Sequence, residues 1–174
     1  MTIHPGDPFA TPDHLRSPLR RLRGRLPSAV TLWTAPGPAG LTVSSTLVVD
    51  GQPGRLLGLL DDESELWAAA SAAGRFAVQP LGPDDRQLAD RFAGLMPAPG
   101  GLFLGYDWEP TDYGPVLAGR GTWVGCRLDE ARELGWALLV ESTVERIELA
   151  EPVPPLVHYR GRYVDLPGPG PALG

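Results

Sequence analysis

The sequence predicts a mainly β fold: an antiparallel barrel with two or three short helices. About seven or eight runs rich in β-branched and aromatic residues alternate with Gly- and Pro-containing breaks. Only two or three segments show helical periodicity, which is too few for helices to connect parallel strands. The length of 174 residues suits a single core. We therefore expect one domain over residues 15–166, with disordered tails at 1–14 and 167–174.

The first predicted element is a helix near the start of this domain. Ser17 suits its N-cap and Pro18 its first helical position. Leucines recur at helical spacing on one face, with arginines opposite: Leu15, Leu19, Leu22 and Leu26. We expect the arginine face to be solvated, the alternative being a patch that binds a partner.

The remaining elements follow in order along the chain. SAVTLWTA, GLTVSSTLVVDG and RLLGLLDD are predicted to form three successive strands, followed by the alanine-rich helix DESELWAAASAAG, the strand RFAVQPLG and the helix PDDRQLADRFAG. Residues 95–115 mix Gly, Pro, Trp and Tyr without a period, which predicts a long loop covering a pocket. GTWVGCRLDE, GWALLVESTVERIEL, PLVHY and RYVDL are the last predicted strands, and the second of these is long enough to require a bulge.

Composition argues against several classes of function. The net charge of −6, with one dense basic segment at residues 16–25, predicts no nucleic-acid partner, and no apolar run is long enough for a membrane span. All fifteen basic residues are arginine, so no lysine serves a P-loop or a Schiff base. One cysteine and three histidines do not support a disulfide, a metal site or a Ser-His-Asp triad. The N-terminal stretch does not match a signal peptide, so we expect a cytoplasmic protein.

The order of these segments resembles that of the flavin reductase family. LPSAVTLWTA, GLTVSST, an apolar strand into DDES, GRFAVQPL, RQLADRFAG, YGPVLAG and PLVHYRGRY occur in the family's order, from residue 15 to about 166. The resemblance implies an FMN-binding split barrel and a homodimer with FMN or FAD near the subunit interface. It further implies that NADH or NADPH reduces this flavin.

Within this resemblance, a flavin site is expected in the stretch TVSST. Thr42, Val43, Ser44 and Ser45 match the family's G-x-T-x-S-S stretch, whose backbone and hydroxyls meet the flavin edge and ribityl chain, and Thr46 extends the set. Amides and hydroxyls suit a flavin edge that alternates neutral donors and acceptors. The alternative is an ordinary strand with hydroxyls on its solvent face.

The resemblance also assigns a phosphate-binding hydroxyl to Ser64, at the start of the helix after the third strand. A helix N-terminus with a capping hydroxyl suits a phosphate, and the alternative is plain N-capping. Asp61 is the second predicted cofactor-binding position here. Asp62, Glu63 and Glu65 add negative charge where family members commonly carry neutral or basic residues.

The chain departs from the family at the start of the long late strand. Where the family carries G-D-H, this sequence has Gly135, Trp136 and Ala137. Trp136 is a predicted cofactor-binding position because an indole stacks on aromatic ligands, the alternative being a buried or interface tryptophan. No histidine is available at this position, and no catalytic residue is predicted.

The expected function is that of a flavin reductase that transfers hydride from NAD(P)H to flavin, with a monooxygenase as a candidate partner. The alternative is a non-catalytic flavin- or deazaflavin-binding module, or a degenerate dimeric scaffold. The missing histidine and the acidic helix start motivate this alternative. A homodimer is also expected because one small domain would struggle to bury the aromatic side chains of the long loop. These are Phe103, Tyr106, Trp108 and Tyr113.

Overall fold

Antiparallel β-sheet is the main secondary structure of the protein in a computed structural model that describes residues 17–166. The predicted mainly β, antiparallel class is confirmed, and all strand pairs are antiparallel. The two predicted tails, and the first two residues of the predicted domain, lie outside the described residues.

Twelve strands and three α-helices form this part of the chain. The strands are β1 Ser28–Ala29, β2 Thr31–Ala35, β3 Ala39–Val43, β4 Leu47–Val49, β5 Arg55–Leu60, β6 Arg75–Pro80, β7 Trp108–Glu109, β8 Val116–Leu117, β9 Trp123–Leu134, β10 Ala137–Glu148, β11 Leu156–Tyr159 and β12 Arg162–Asp165. The helices are α1 Pro18–Gly24, α2 Glu65–Ala73 and α3 Arg86–Phe92, and a 3-10 turn at Pro83–Asp85 precedes α3.

The main sheet has seven strands in the order β3-β2-β6-β9-β10-β5-β4. No ladder among the described residues joins its two edge strands, so the sheet is open. The strands β2 and β5 lie near opposite ends of the strand order, yet Trp33 of β2 lies against Gly58 of β5. The sheet is therefore curled. A three-stranded sheet, β1-β11-β12, and the pair β7-β8 lie outside it.

The bend or bulge predicted for GWALLVESTVERIEL is present in β10 as two bulges. The ladder between β9 and β10 shifts register between Glu141 and Ser142 and again between Val144 and Arg146. A two-residue turn, Gly135 and Trp136, joins the two strands, and Gly135 has a left-handed φ of 61° that suits glycine.

The second predicted strand, GLTVSSTLVVDG, is two strands in the structure. β3 ends at Val43 and β4 begins at Leu47, and residues 44–46 between them are irregular. The apolar and β-branched composition predicted one continuous strand. It could not show that the Ser45 and Thr46 side chains bond to neighbouring strands and divert the backbone there.

The core places an aromatic stack beneath this irregular segment. Trp33 stacks on Phe76 with ring centroids 4.7 Å apart, and both side chains are fully buried. Cys126 is buried in the same cluster, as predicted for a small apolar side chain.

The aromatic side chains of the long loop pack against other residues of the same chain. Phe103 lies edge-on to Phe92 of α3, with centroids 5.1 Å apart, and Trp108 packs against both. Tyr106 joins this cluster, and Tyr113 packs on Trp123 instead. The chain alone thus half-buries these side chains, and the homodimer stays a prediction.

Helix α1 begins as predicted but leaves its leucines in solvent. Ser17 caps it, accepting a hydrogen bond from the Arg20 amide at 3.3 Å, and Pro18 is its first residue. Leu19 is 72% exposed, and no residue of α1 is buried. Its apolar face is therefore not part of the core formed by residues 17–166. None of the described helices is long and apolar enough to cross a bilayer.

Candidate functional site

The irregular residues 44–46 form the centre of the predicted site, and Ser45 attaches them to β5. The Ser45 hydroxyl accepts a hydrogen bond from the Leu59 amide at 3.0 Å and donates one to the Leu59 carbonyl at 3.2 Å. The Ser45 side chain thus bonds to the Leu59 amide and carbonyl in place of the backbone of a neighbouring strand. Its one hydroxyl proton is used within the protein.

Thr42 and Thr46 also direct their hydroxyls into the protein. Thr42 donates to the Ala89 carbonyl in α3 at 2.7 Å. The Thr46 hydroxyl lies 2.9 Å from that of Thr31 and 3.2 Å from the Trp33 indole nitrogen. Both threonines therefore stabilise the segment's path along the fold. Val43 is buried and its carbonyl accepts a hydrogen bond from the Thr31 hydroxyl at 2.7 Å, so its side chain and its carbonyl are both used within the protein.

Ser44 differs from its neighbours because its side chain is exposed. Within residues 17–166 its hydroxyl has no hydrogen-bond partner, and the amides of Ser44, Ser45 and Thr46 donate to no other backbone group. One hydroxyl and three adjacent amides are thus left for an external hydrogen-bonding group. This set carries no charge and suits a neutral heterocyclic edge.

Sequence reasoning missed the residues of β2 that support this segment. Thr31 and Trp33 alternate along β2, so both face the same side of the sheet and reach Thr46. The available signal was the T-x-W alternation one hairpin before TVSST. Sequence alone could not show that the two pieces meet, because that depends on the register of the β2–β3 pair, in which Thr31 lies opposite Val43.

Ser64 acts as the N-cap of α2. Its hydroxyl accepts from the Trp67 amide at 3.1 Å and donates to the Asp61 carbonyl at 2.7 Å. The Asp61 carboxylate in turn accepts from the Glu63 amide at 2.9 Å. The capping alternative therefore describes how both side chains are used. Four exposed carboxylates surround this helix start: Asp61, Asp62, Glu63 and Glu65.

The structure brings the three predicted segments together around the end of β5. Ser45 bonds to Leu59, the next residue, Leu60, pairs with Leu138 at the start of β10, and Asp61 follows Leu60 directly. The turn that carries Trp136 is two residues before Leu138 and lies at the same end of the sheet. Residues distant in sequence therefore meet at one edge of the fold.

Trp136 is neither buried nor part of the core, since its side chain is 82% exposed. It lines an apolar cleft of about 360 Å³ together with Leu19 and Leu22 of α1 and with Leu26, which follows that helix. One wall of this cleft is therefore formed by the exposed Trp136 side chain.

Neither a histidine nor a reactive thiol lies at this site among the described residues. His158, the one histidine among the described residues, lies on β11 against the Tyr163 ring, in a different sheet from β5 and β10. Burial raises the pKa of the Cys126 thiol to about 11, so this thiol is protonated near neutral pH and unsuited to act as a nucleophile. The described residues hold no cluster of three or more His, Cys, Asp or Glu side chains that suits a metal ion.

Comparison with known proteins relates this chain to a known class of domain. A sequence model described as "Flavin reductase like domain" matches residues 23–167. The reductase subunit HsaB of a flavin-dependent monooxygenase from Mycobacterium tuberculosis is 28% identical over 132 residues, which cover 74% of this chain and 69% of that protein. The protein "FMN reductase (NADH) RutF 1" from Methylorubrum extorquens is 30% identical over 152 residues, 85% of this chain and 75% of the relative.

A solved structure shares both fold and sequence with this chain. Nitrilotriacetate monooxygenase component B from Mycobacterium thermoresistibile superposes with a TM-score of 0.77 and 28% identity, covering 86% of this chain and 85% of that one.

Proposed function

The chain belongs to the flavin reductase like domain family, and from that premise we propose that it is a flavin reductase that uses NADH or NADPH to reduce FMN or FAD. One relative is named an NADH-dependent FMN reductase and another a reductase subunit of a flavin-dependent monooxygenase. Delivery of reduced flavin to a monooxygenase partner is part of the proposal.

The observation that carries the proposal is the unpaired set at residues 44–46. A flavin ring presents neutral carbonyl and N–H groups along its pyrimidine edge, and the exposed Ser44 hydroxyl with three adjacent amides is complementary to them. The neighbouring side chains are bonded inside the protein, so they hold these donors in place. The residues present therefore fit the ring of a flavin.

The fit at the phosphate end is weaker. The Ser64 hydroxyl already caps α2, and the four nearby carboxylates disfavour a second anion at this helix start. The ring-binding segment therefore provides most of the affinity in this proposal. We expect FMN and riboflavin to bind with similar strength, because the helix adds little attraction for phosphate.

The protein's part in the reaction is positioning. A bound flavin supplies the acceptor for a hydride from the nicotinamide and passes the electrons on. Residues 44–46 orient the ring, and Trp136 offers an aromatic surface at the same edge of the fold. No side chain needs to transfer a proton for a hydride to move between stacked rings, which is consistent with alanine at position 137.

The proposal is tested by titrating FMN and FAD with the purified protein and following flavin fluorescence, then measuring NADH and NADPH oxidation with FMN present. Saturable binding with oxidation above the rate of free flavin supports the function. Binding of a flavin or a deazaflavin without oxidation supports the non-catalytic module, which Ala137 favours. Absence of binding to any of them would leave a scaffold role.

We propose that the active form is a homodimer. The support is apolar surface outside the core: the leucines of α1, the exposed edge strand β4 and Trp136. A contiguous exposed apolar patch of this kind is typical of a surface that binds a partner. Light scattering should therefore report twice the monomer mass.

We also propose that the curled, open main sheet is a split barrel. The contact of Trp33 with Gly58 supports this reading because it joins strands from the two ends of the sheet order.

A further inference from the structure

The side chains that fix residues 44–46 from below belong to β2 and are shielded from solvent. Thr31 is 7% and Trp33 0% exposed. A ligand at the exposed Ser44 therefore meets neither of them. Any effect of these two side chains on a ligand must pass through the segment they hold.

The hydrogen bonds among these residues have one consistent orientation. The Thr31 hydroxyl donates its only proton to the Val43 carbonyl at 2.7 Å. Its oxygen therefore accepts from the Trp33 indole N–H at 3.1 Å and from the Thr46 hydroxyl at 2.9 Å. The Thr46 proton is thus used as well. The buried Thr31 hydroxyl oxygen therefore joins Val43, the last residue of β3, to Thr46, the last residue of the irregular segment.

The indole that completes this network cannot shift to another position. Its ring stacks on Phe76 with an interplanar angle of 7°. Its six-membered ring also lies close to Gly58, where an added Cβ would come within 2.6 Å of ring atoms Cη2 and Cζ2. The Trp33 nitrogen is therefore held at a fixed place beneath Thr46.

From this arrangement we propose that Thr31 and Trp33 are positioning residues for flavin binding. They hold the Ser44, Ser45 and Thr46 amides in the binding geometry before the flavin binds. Little conformational entropy of this segment is therefore lost on binding. The inference rests on the proposed function, because residues 44–46 are its ring-binding segment.

The test compares two threonines on the same strand. Thr31→Val removes the hydroxyl that joins Val43, Trp33 and Thr46. Thr34→Val removes an equally buried hydroxyl that donates to the Pro115 carbonyl at 2.6 Å, away from the segment. Both variants leave a backbone carbonyl without its donor, so both should lose stability.

Only the first variant should affect flavin. Thr31→Val should raise the FMN dissociation constant roughly fivefold or more, whereas Thr34→Val and Thr31→Ser should stay within about twofold of the unmodified protein. In the flavin-free protein, Thr31→Val should also speed hydrogen exchange at the amides of residues 44–46, and Thr34→Val should not. The exchange measurement does not depend on turnover.

The outcomes separate this inference from the function it rests on. If the unmodified protein binds no flavin, the proposed function fails before any variant is made. If it binds FMN and the two valine variants behave alike, the positioning role is overturned while the function stands. Should Thr31→Val not fold, Thr46→Ala gives the same test, because unchanged affinity and unchanged exchange at Ser44 and Ser45 would also overturn the role.

Discussion

Replacing each of two adjacent serines by alanine should affect the stability of the fold differently, because only the Ser45 side chain is bonded within residues 17–166. Ser45→Ala removes both hydrogen bonds to Leu59, and each neutral bond contributes about 0.5–1.5 kcal/mol. Leu59 is 40% exposed, so water replaces part of this loss and the expected destabilisation is about 1–2 kcal/mol. Ser44→Ala removes an exposed hydroxyl without an internal partner and should leave stability within about 0.5 kcal/mol.

The assay is urea unfolding of the flavin-free variants beside an FMN titration. Ser44→Ala should weaken FMN binding about 2- to 10-fold, the value of one hydrogen bond, with an unchanged unfolding midpoint. Ser45→Ala should lower the urea unfolding midpoint, and in a thermal scan its melting temperature should fall by about 2–4 °C for each kcal/mol of stability lost. It should also weaken FMN binding, because residues 44–46 are then displaced. Equal stability losses in the two variants, or a fully stable Ser45→Ala protein, would refute this assignment of roles.

Three further predictions concern the core, alkaline stability and assembly. Gly58→Ala places a Cβ 2.6 Å from Trp33 and should lower the free energy of unfolding in urea by about 1–3 kcal/mol. The control is Gly24→Ala, which meets no atom within 4 Å and should be neutral or stabilising. Equal effects of the two substitutions would contradict the close contact. Because burial raises the pKa of Cys126 from 9.0 to about 11, the folded state holds this proton more tightly, so its contribution is complete below pH 9 and is lost as the pH rises toward 11. The Cys126→Ala variant should lose less stability than the unmodified protein over that interval, and parallel loss in both would count against the assignment. Leu22→Glu on α1 should give a folded monomer by light scattering, and an unchanged dimer mass would exclude this face as the interface.

Local sequence patterns predicted most elements of the fold. Ser17 followed by Pro18 marked the start of α1, because a capping hydroxyl and a fixed proline φ act within one turn. The length of β10 predicted its bulges, since a long strand beside a twisted partner rarely keeps one register. These signals depend on residues near one another in sequence.

The details that decide the site depend on distant residues instead. TVSST looked like a continuous strand, but Ser45 bonds to β5 and Thr46 to β2, and neither partner is apparent before the strands pair. Ser64 fulfilled a local rule as an N-cap. For Trp136, the side chain's exposure depends on the turn it occupies rather than on its hydrophobicity.

The central claim is that residues 44–46 bind the flavin ring, and NMR chemical shifts of the backbone amides during an FMN titration test it most directly. The account predicts that the Ser44, Ser45 and Thr46 amides move most, with smaller changes at Trp136 and none in β11 and β12. Saturable FMN binding that leaves these three amides unmoved, or shifts concentrated in another part of the chain, would contradict it.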